Sequence, residues 1–405
     1  MYYSFFKNVN NIRKILQKSK LIITLNTVII SFIIAWKALA INPIPVRKNV
    51  IDLTPQEKID FVNAVKTLKN TILPGSKVSI YDQFVAVHMA AMSFSSMHSP
   101  NMNAGNITTH PSGPTKGADA AHLNAGFLPW HREYLKRFEQ ALQAVNPKVS
   151  IPYWDWTNPK AIDVIFQPDF LGTNGSGVKI NIYGAGIFEG GSIQSGNFSQ
   201  VDGWVLNENL HLHQITNKTL GSTLLRYLQV PPFNNYPVPQ EVIDRLFNSK
   251  DYESFRLFLE APRIDAKVPT HGYIHSLVGG FLFDLTQSPP VLIDALGTMT
   301  NVPSSPNDPV FFLHHANVDR LWAEWQNNGH AGRAFYPQAN QPYGHNLKDR
   351  MWPWDGGQST PGSLGQIDIR PYLPSFASND IVTPADTLNL RKYRYTYDTL
   401  LKNYR

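Results

Sequence analysis

Apolar positions recur at helical spacing in several stretches of this chain. Phe61, Val62, Val65 and Leu68 share one broad face, with Ile59 at its edge, just after Thr54-Pro55-Gln56-Glu57. That tetrad predicts a helix start, with a Thr cap, Pro at the first helical position and Glu at the third. Within Tyr81–Met92, Tyr81, Phe84, Val85 and His88 fall at i, i+3, i+4 and i+7, so a second helix is predicted with His88 on its apolar side. A third is predicted from about Pro129 to Val145. His131, Leu135, Phe138 and Leu142 form its buried stripe, and Arg132, Glu133, Lys136 and Arg137 take much of the opposite side. Shorter helices are predicted over Asp251–Leu259 and His271–Phe283, and a longer one over Asp308–Gln326. Ser93–Gly117 and Pro353–Pro384 read as loops, Asn158–Gly203 as long loops with short strands, and Tyr393–Asp398 alternates like a strand. The pattern is that of a mainly α fold with a helical core and heavy loop decoration.

Composition sharpens this picture. The 405 residues, 42% of them hydrophobic, suffice for one large core or two ordinary ones. The net charge of +6 suggests an anionic partner only until its location is seen. Of 36 basic residues, six (Lys7, Arg13, Lys14, Lys18, Lys20 and Lys37) lie in the first 40 positions, which hold no acid, and the remaining 30 match the 30 acidic ones. A nucleic-acid role therefore has no electrostatic support. The same 40 residues carry a basic stretch, an apolar run from Leu21 to Trp36 and Ala38-Leu39-Ala40. That is the order of a cleavable secretory signal, with an uncleaved membrane anchor as the alternative. The expected protein is exported, periplasmic or secreted, with one domain over residues 41–405. There is no cysteine, which excludes thiol catalysis, redox dithiols and cysteine-based zinc sites.

The candidate chemistry lies in the histidines. His88 and His131 sit on apolar helix faces, His122 opens the run HLNAGFLPWH, His271 and His275 form HGYIH, and His314 and His315 are adjacent in NDPVFFLHHANVDRLW. A lone histidine in such a setting is ordinarily a packing residue, but so many together point to metal. HxxxH puts two imidazoles on one helical face, as a shared ion requires. A zinc protease would carry Glu directly after the first of them, where this chain has Gly272. Two three-histidine sets emerge: His88, His122 and His131, and His271, His275 and one of His314 or His315. All-imidazole ligation with open positions best suits copper.

The segments YDQFVAVH, FLPWHREYLKRFE, IPYWDW, HGYIH, SPNDPVFFLHHANVDRLWAEWQ and YRYTYD resemble the tyrosinase and catechol oxidase family, over about Tyr81 to Asp398. The resemblance implies a central four-helix bundle holding two copper ions, with long loops and few short strands. It implies His88, His122 and His131 at copper A, and His271, His275 and His315 at copper B. It lacks the cysteine that many eukaryotic members carry near the second copper A histidine; Ala120 and Ala121 stand in that neighbourhood, as in cysteine-free bacterial forms. A C-terminal shielding domain is not expected. Asp319 is a candidate to orient His315, or else to pair with Arg320 or another basic residue. Phe127 and Phe311, each four residues before a histidine, would shield the coppers or fill the core.

The implied activity is oxidation of o-diphenols to o-quinones by O₂, with hydroxylation of monophenols left open. In the family a Glu, and an Asn directly after the first copper B histidine, are proposed to hold a water that assists monophenols. Glu260 would be the Glu, while Gly272 stands at the Asn position, which favours diphenols. The expected partners are O₂ and small phenols; a copper-delivery partner is left open. The rival readings are a haemocyanin-like oxygen carrier and, more remotely, a zinc hydrolase. His98, His110, His211, His213, His330 and His345 are expected to be surface or packing residues.

Overall fold

The computed structural model describes residues 44–94, 119–261, 266–364 and 367–403. The predicted signal, residues 1–40, and the loop with His98 and His110 lie outside these residues. The chain from Pro45 onward forms one unit. In it, strand β1 (Val46–Arg47) precedes helix α1 (Pro55–Asn70). The predicted start is realised as a capping box. Thr54 Oγ1 accepts the Glu57 N–H at 3.2 Å, and Glu57 Oε2 accepts the Thr54 N–H at 2.9 Å. Such a cap stabilises a helix by ~1 kcal/mol. Phe61, Val62, Val65 and Leu68 are buried and Ile59 is exposed, as the spacing predicts.

Helix α2 (Ile80–Met92) is buried on almost every side, and α3 (Phe127–Val145) packs beside it. Phe138 of α3 stacks on Phe312 with ring centroids 3.5 Å apart. The side of α3 predicted to be polar does not face water at Arg132 and Glu133, which are both buried. Arg132 reaches Asp319 and Gln326, and Glu133 accepts from Arg137 Nε at 2.7 Å. Charge can sit inside here because each group finds a partner on another turn or element.

Helix α4 (Ala161–Ile165) leads to an antiparallel sheet of β2 (Ser176–Ile182), β3 (Gly186–Ser192) and β4 (Leu225–Arg226), in the order β2-β3-β4. The sequence pattern did not predict α5 (Gln240–Phe247). Helix α6 (Tyr252–Glu260) is capped by Asp251, whose side chain accepts the Ser254 N–H at 2.8 Å. Helix α7 (His271–Gly279) ends earlier than predicted. Gly280 takes φ +71°, and a Cβ on Gly279 would lie 2.3 Å from the Thr300 nitrogen, so the chain turns there. Residues to 284 form strand β5 (Phe281–Asp284), paired antiparallel with β6 (Val291–Ala295).

Helix α8 (Val310–Trp325) is almost wholly buried. After it come a small hairpin, β7 (Ser363–Leu364) and β8 (Ile367–Asp368), and the single turns α9 (Pro384–Thr387) and α10 (Leu390–Tyr393). The predicted terminal strand shortens to β9 (Thr396–Tyr397), which pairs in parallel with β1. Helices α2, α3, α7 and α8 form the centre that carries the histidines. Among the described residues no helix is long and apolar enough to cross a membrane.

Candidate metal centre

His88 comes from α2, His131 from α3 and His122 from the loop before α3, and their ligand atoms gather within 4.8 Å of one another. His271 and His275, one turn apart on α7, gather within the same distance of His314 and His315 of α8. All seven imidazoles are buried. The two groups touch where the rings of His131 and His315 lie 4.4 Å apart. Phe127 packs against the rings of His131 and His271 at 4.9 and 5.0 Å, and Phe311 against those of His88 and His315 at 5.1 and 4.0 Å. Both phenylalanines therefore border both groups and help to keep water from them.

The hydrogen bonds set the tautomers. Nδ1 of His88, His131, His271 and His275 meets the backbone carbonyls of Pro303, Phe127, Glu260 and Met299 at 3.2, 2.8, 2.9 and 2.8 Å. A carbonyl only accepts, so each Nδ1 carries the proton and each Nε2 keeps a lone pair. The Nε2 atoms of His88, His131 and His271 are buried without a hydrogen-bond partner. One buried unsatisfied group costs about 1–3 kcal/mol. Several aimed into one place make sense when a cation takes their lone pairs, so the residues fit metal bound through Nε2.

Electrostatics agree. Burial, reinforced by neighbouring imidazoles, holds His88, His131, His271, His314 and His315 well below the usual histidine range, and burial takes His275 to about 4. These side chains are neutral near pH 7, the form that ligates. His122 differs. Burial lowers its pKa, but the Asp119 carboxylate, 3.3 Å from Nδ1, and Glu260 together raise it above the usual histidine value. Asp119 also accepts the N–H groups of Ala121 and His122, which shapes the loop. Sequence reasoning missed Asp119; its one signal is a carboxylate three residues before a candidate ligand. Seven imidazoles without a carboxylate among the ligand atoms are a copper-type donor set.

The remaining predicted residues fare differently. Glu260 is buried beside both groups. Its Oε1 accepts the Leu123 N–H at 2.6 Å, its Oε2 accepts from Arg256 Nη1 at 2.6 Å, and its backbone carbonyl receives His271. Burial raises its pKa against the pull of Arg256. Gly272 lies directly after His271, where a Cβ would come 2.6 Å from the Ala261 carbonyl oxygen, so close backbone approach requires glycine there. Asp319 bonds neither to His315 nor to Arg320. It pairs with Arg47 at 3.1 Å and Arg132 at 2.5 Å and accepts from Tyr395 and Tyr397. Arg320 pairs with Glu324 instead. The local spacing of one turn suggested His315, but Asp319 leaves α8 on a side covered by β1, α3 and β9.

His314 belongs to the second group together with His315, and neither of its ring nitrogens has a hydrogen-bond partner. Four other histidines take the packing alternative, three of them buried and His330 half-buried. His211 bonds to the Gly221 carbonyl and Thr298, His213 to Asp294, and His330 stacks on Trp325. His345 is fully buried and accepts the Gly126 N–H.

Residues 78–328 match the common central domain of tyrosinase. The chain is 34% identical over 312 residues to a tyrosinase of Streptomyces glaucescens, covering 76% of this chain and 92% of that protein. It is 30% identical over 391 residues to grixazone synthase of Streptomyces griseus, covering 87% and 99%. In fold it resembles a mutant polyphenol oxidase from Thermothelomyces thermophila, with a TM-score of 0.55 at 21% identity over 90% of this chain and 92% of that one.

Proposed function

The chain belongs to the tyrosinase family of dicopper proteins, and from that premise we propose that it oxidises o-diphenols to o-quinones with O₂. The carrying observation is the convergence of seven buried imidazoles in two adjoining groups, four of them with Nδ1 on a backbone carbonyl and Nε2 left with a lone pair. We assign copper A to His88, His122 and His131, and copper B to His271, His275 and His315. When bound, the copper pair supplies O₂ binding and two-electron redox exchange. The chain's own residues do the rest. Backbone carbonyls of Pro303, Phe127, Glu260 and Met299 fix four imidazole tautomers, and Asp119 holds the fifth ring. Phe127 and Phe311 exclude water from the centre. A diphenol loses two electrons and two protons per turnover, and two turnovers balance the reduction of one O₂ to two waters.

Preference for diphenols is supported by what surrounds His271. A simple phenol has a pKa near ~10 and needs help to bind as phenolate. Glu260 already accepts from Leu123 and Arg256, and Gly272 offers no side-chain donor or acceptor. The test is the copper-loaded protein assayed on a catechol and its matched monophenol. Rapid catechol turnover with slow or lagging monophenol turnover supports the reading. Equal rates would make the protein a tyrosinase in activity, and reversible O₂ binding without turnover would make it an oxygen carrier. Active zinc would favour the hydrolase, for which HGYIH lacks the glutamate.

We also infer export through residues 1–40, on the strength of the basic, apolar and A-x-A order alone. N-terminal sequencing of the exported protein should begin at Ile41. A retained Met1 in a membrane-bound protein would favour the anchor.

A further inference from the structure

His345 lies outside both histidine groups, yet it is fully buried and accepts the backbone N–H of Gly126 at Nδ1, 3.0 Å away. Gly126 precedes α3 with φ −66° and ψ −11°, a conformation open to any residue. Its lack of a side chain has a different reason: a Cβ there would lie 2.4 Å from His345 Nδ1. Histidine and glycine thus fit each other across 219 positions of sequence. The ring sits beside Asp119, and burial lowers its pKa to about 4 although Asp119 pulls it upward, so near neutral pH Nδ1 is free to accept.

The turn that presents His345 is itself held. Its N–H donates to the Pro342 carbonyl at 3.1 Å, its carbonyl accepts from Tyr336 Oη at 2.9 Å, and Asp349 accepts the N–H groups of Gly344 and Asn346. Tyr336 packs on Tyr252 at 4.7 Å, and the Tyr252 hydroxyl donates to the Ala125 carbonyl at 2.5 Å. Neighbouring residues Ala125 and Gly126 are therefore fastened by two side chains from elsewhere. Shortly before them the loop bears His122; directly after, the Phe127 carbonyl receives the Nδ1 proton of His131.

We infer that His345 is a positioning residue for the metal held by His88, His122 and His131, acting through the Gly126 N–H on the start of α3 and on the loop that bears His122. The inference rests on the ligand sets proposed above. Outer partners that orient ligands are worth about 10–100-fold in metal affinity.

The test measures copper(I) affinity of the full chain by chelator competition in two backgrounds. His275→Ala leaves only the His88 set intact, and His131→Ala leaves only the His271 set. His345→Leu is expected to weaken copper binding about tenfold or more in the first background and to leave the second nearly unchanged. His345→Asn, whose Oδ1 can accept the Gly126 N–H, should restore most of the loss. Equal weakening in both backgrounds, or no rescue by Asn, overturns the inference. If His345→Leu does not fold, Gly126→Ala decides, because its Cβ displaces the same ring and should weaken only the first set. Failure of the ligand assignment shows itself separately: His275→Ala with His345 intact would then hold no copper.

Discussion

His275 and His315 face each other through their Nε2 atoms, 3.4 Å apart. His275 spends its Nδ1 proton on the Met299 carbonyl, so its Nε2 has only a lone pair to offer. Two helices thus bring a pair of imidazole nitrogens to one point, and a shared cation satisfies both. Two coppers per chain are therefore expected by metal analysis. His131→Ala or His275→Ala should each cut this to one and abolish catechol turnover, because O₂ must receive two electrons at once. Full activity with one copper would contradict the assignment.

His314 and His315 can be told apart by substitution. His315→Ala is expected to lose one copper. His314→Phe should retain both, with a modest loss of stability, since its ring packs against those of His271 and Trp156 at 5.0 and 5.2 Å. Copper content after dialysis is the measurement, and the reverse pattern would move the ligand to His314.

Gly272 is tested first with alanine. The added Cβ meets the Ala261 carbonyl at 2.6 Å, so Gly272→Ala should destabilise the protein by about 1–3 kcal/mol and lower catechol turnover. Gly272→Asn should carry the same cost. A rise in the monophenol-to-catechol rate ratio in Asn but not in Ala would show that side-chain polarity at 272 matters beyond packing. Unchanged stability in Gly272→Ala would disprove the close approach.

Asp319 neutralises two buried guanidinium groups, Arg47 and Arg132. Its pKa is held below the usual carboxylate range, against burial, by Arg132 first and Arg47 next. A depressed folded-state value means that its stabilisation is present above the unfolded pKa, near ~4, and is lost as pH falls through the folded value. Asp319→Asn should remove about 3–5 kcal/mol at neutral pH, read from urea unfolding of the copper-free protein, and flatten the acid limb of its stability curve.

Much of the fold and the metal site was legible in the sequence because it is local. The Thr54–Glu57 box, the buried face of α1 and the HxxxH pair on α7 each depend on residues within one or two turns. The metal chemistry was legible because imidazoles stand out among Leu, Phe and Trp. What escaped depends on distant partners. Spacing alone leaves Asp319 between His315 and a basic partner, because it cannot show that Arg132 and Arg47 reach it from 187 and 272 positions away and Tyr395 and Tyr397 from 76 and 78. Arg132 and Glu133 looked like a solvent face because helical periodicity cannot see what covers a helix. His345 gave no signal, since its counterpart at the centre is a backbone N–H. The end of α7 was misjudged because Leu277, Val278, Phe281 and Phe283 suit a buried helix and a buried strand equally, and Gly279-Gly280 decides between them.

The parallel pairing of β1 with β9 has a consequence for the order in which the molecule can be assembled. Arg47, near the start of the domain, reaches Tyr397 at 3.0 Å near its end, and both meet Asp319 on the helix that carries His315. A growing chain presents Arg47 long before Tyr395 and Tyr397 exist. The side of α8 that bears Asp319 can therefore be covered by Arg47 and Arg132 first, and by Tyr395 and Tyr397 only afterwards. Two segments some 350 positions apart thus share one clasp on the helix that carries His315, and loosening either of them loosens the same carboxylate.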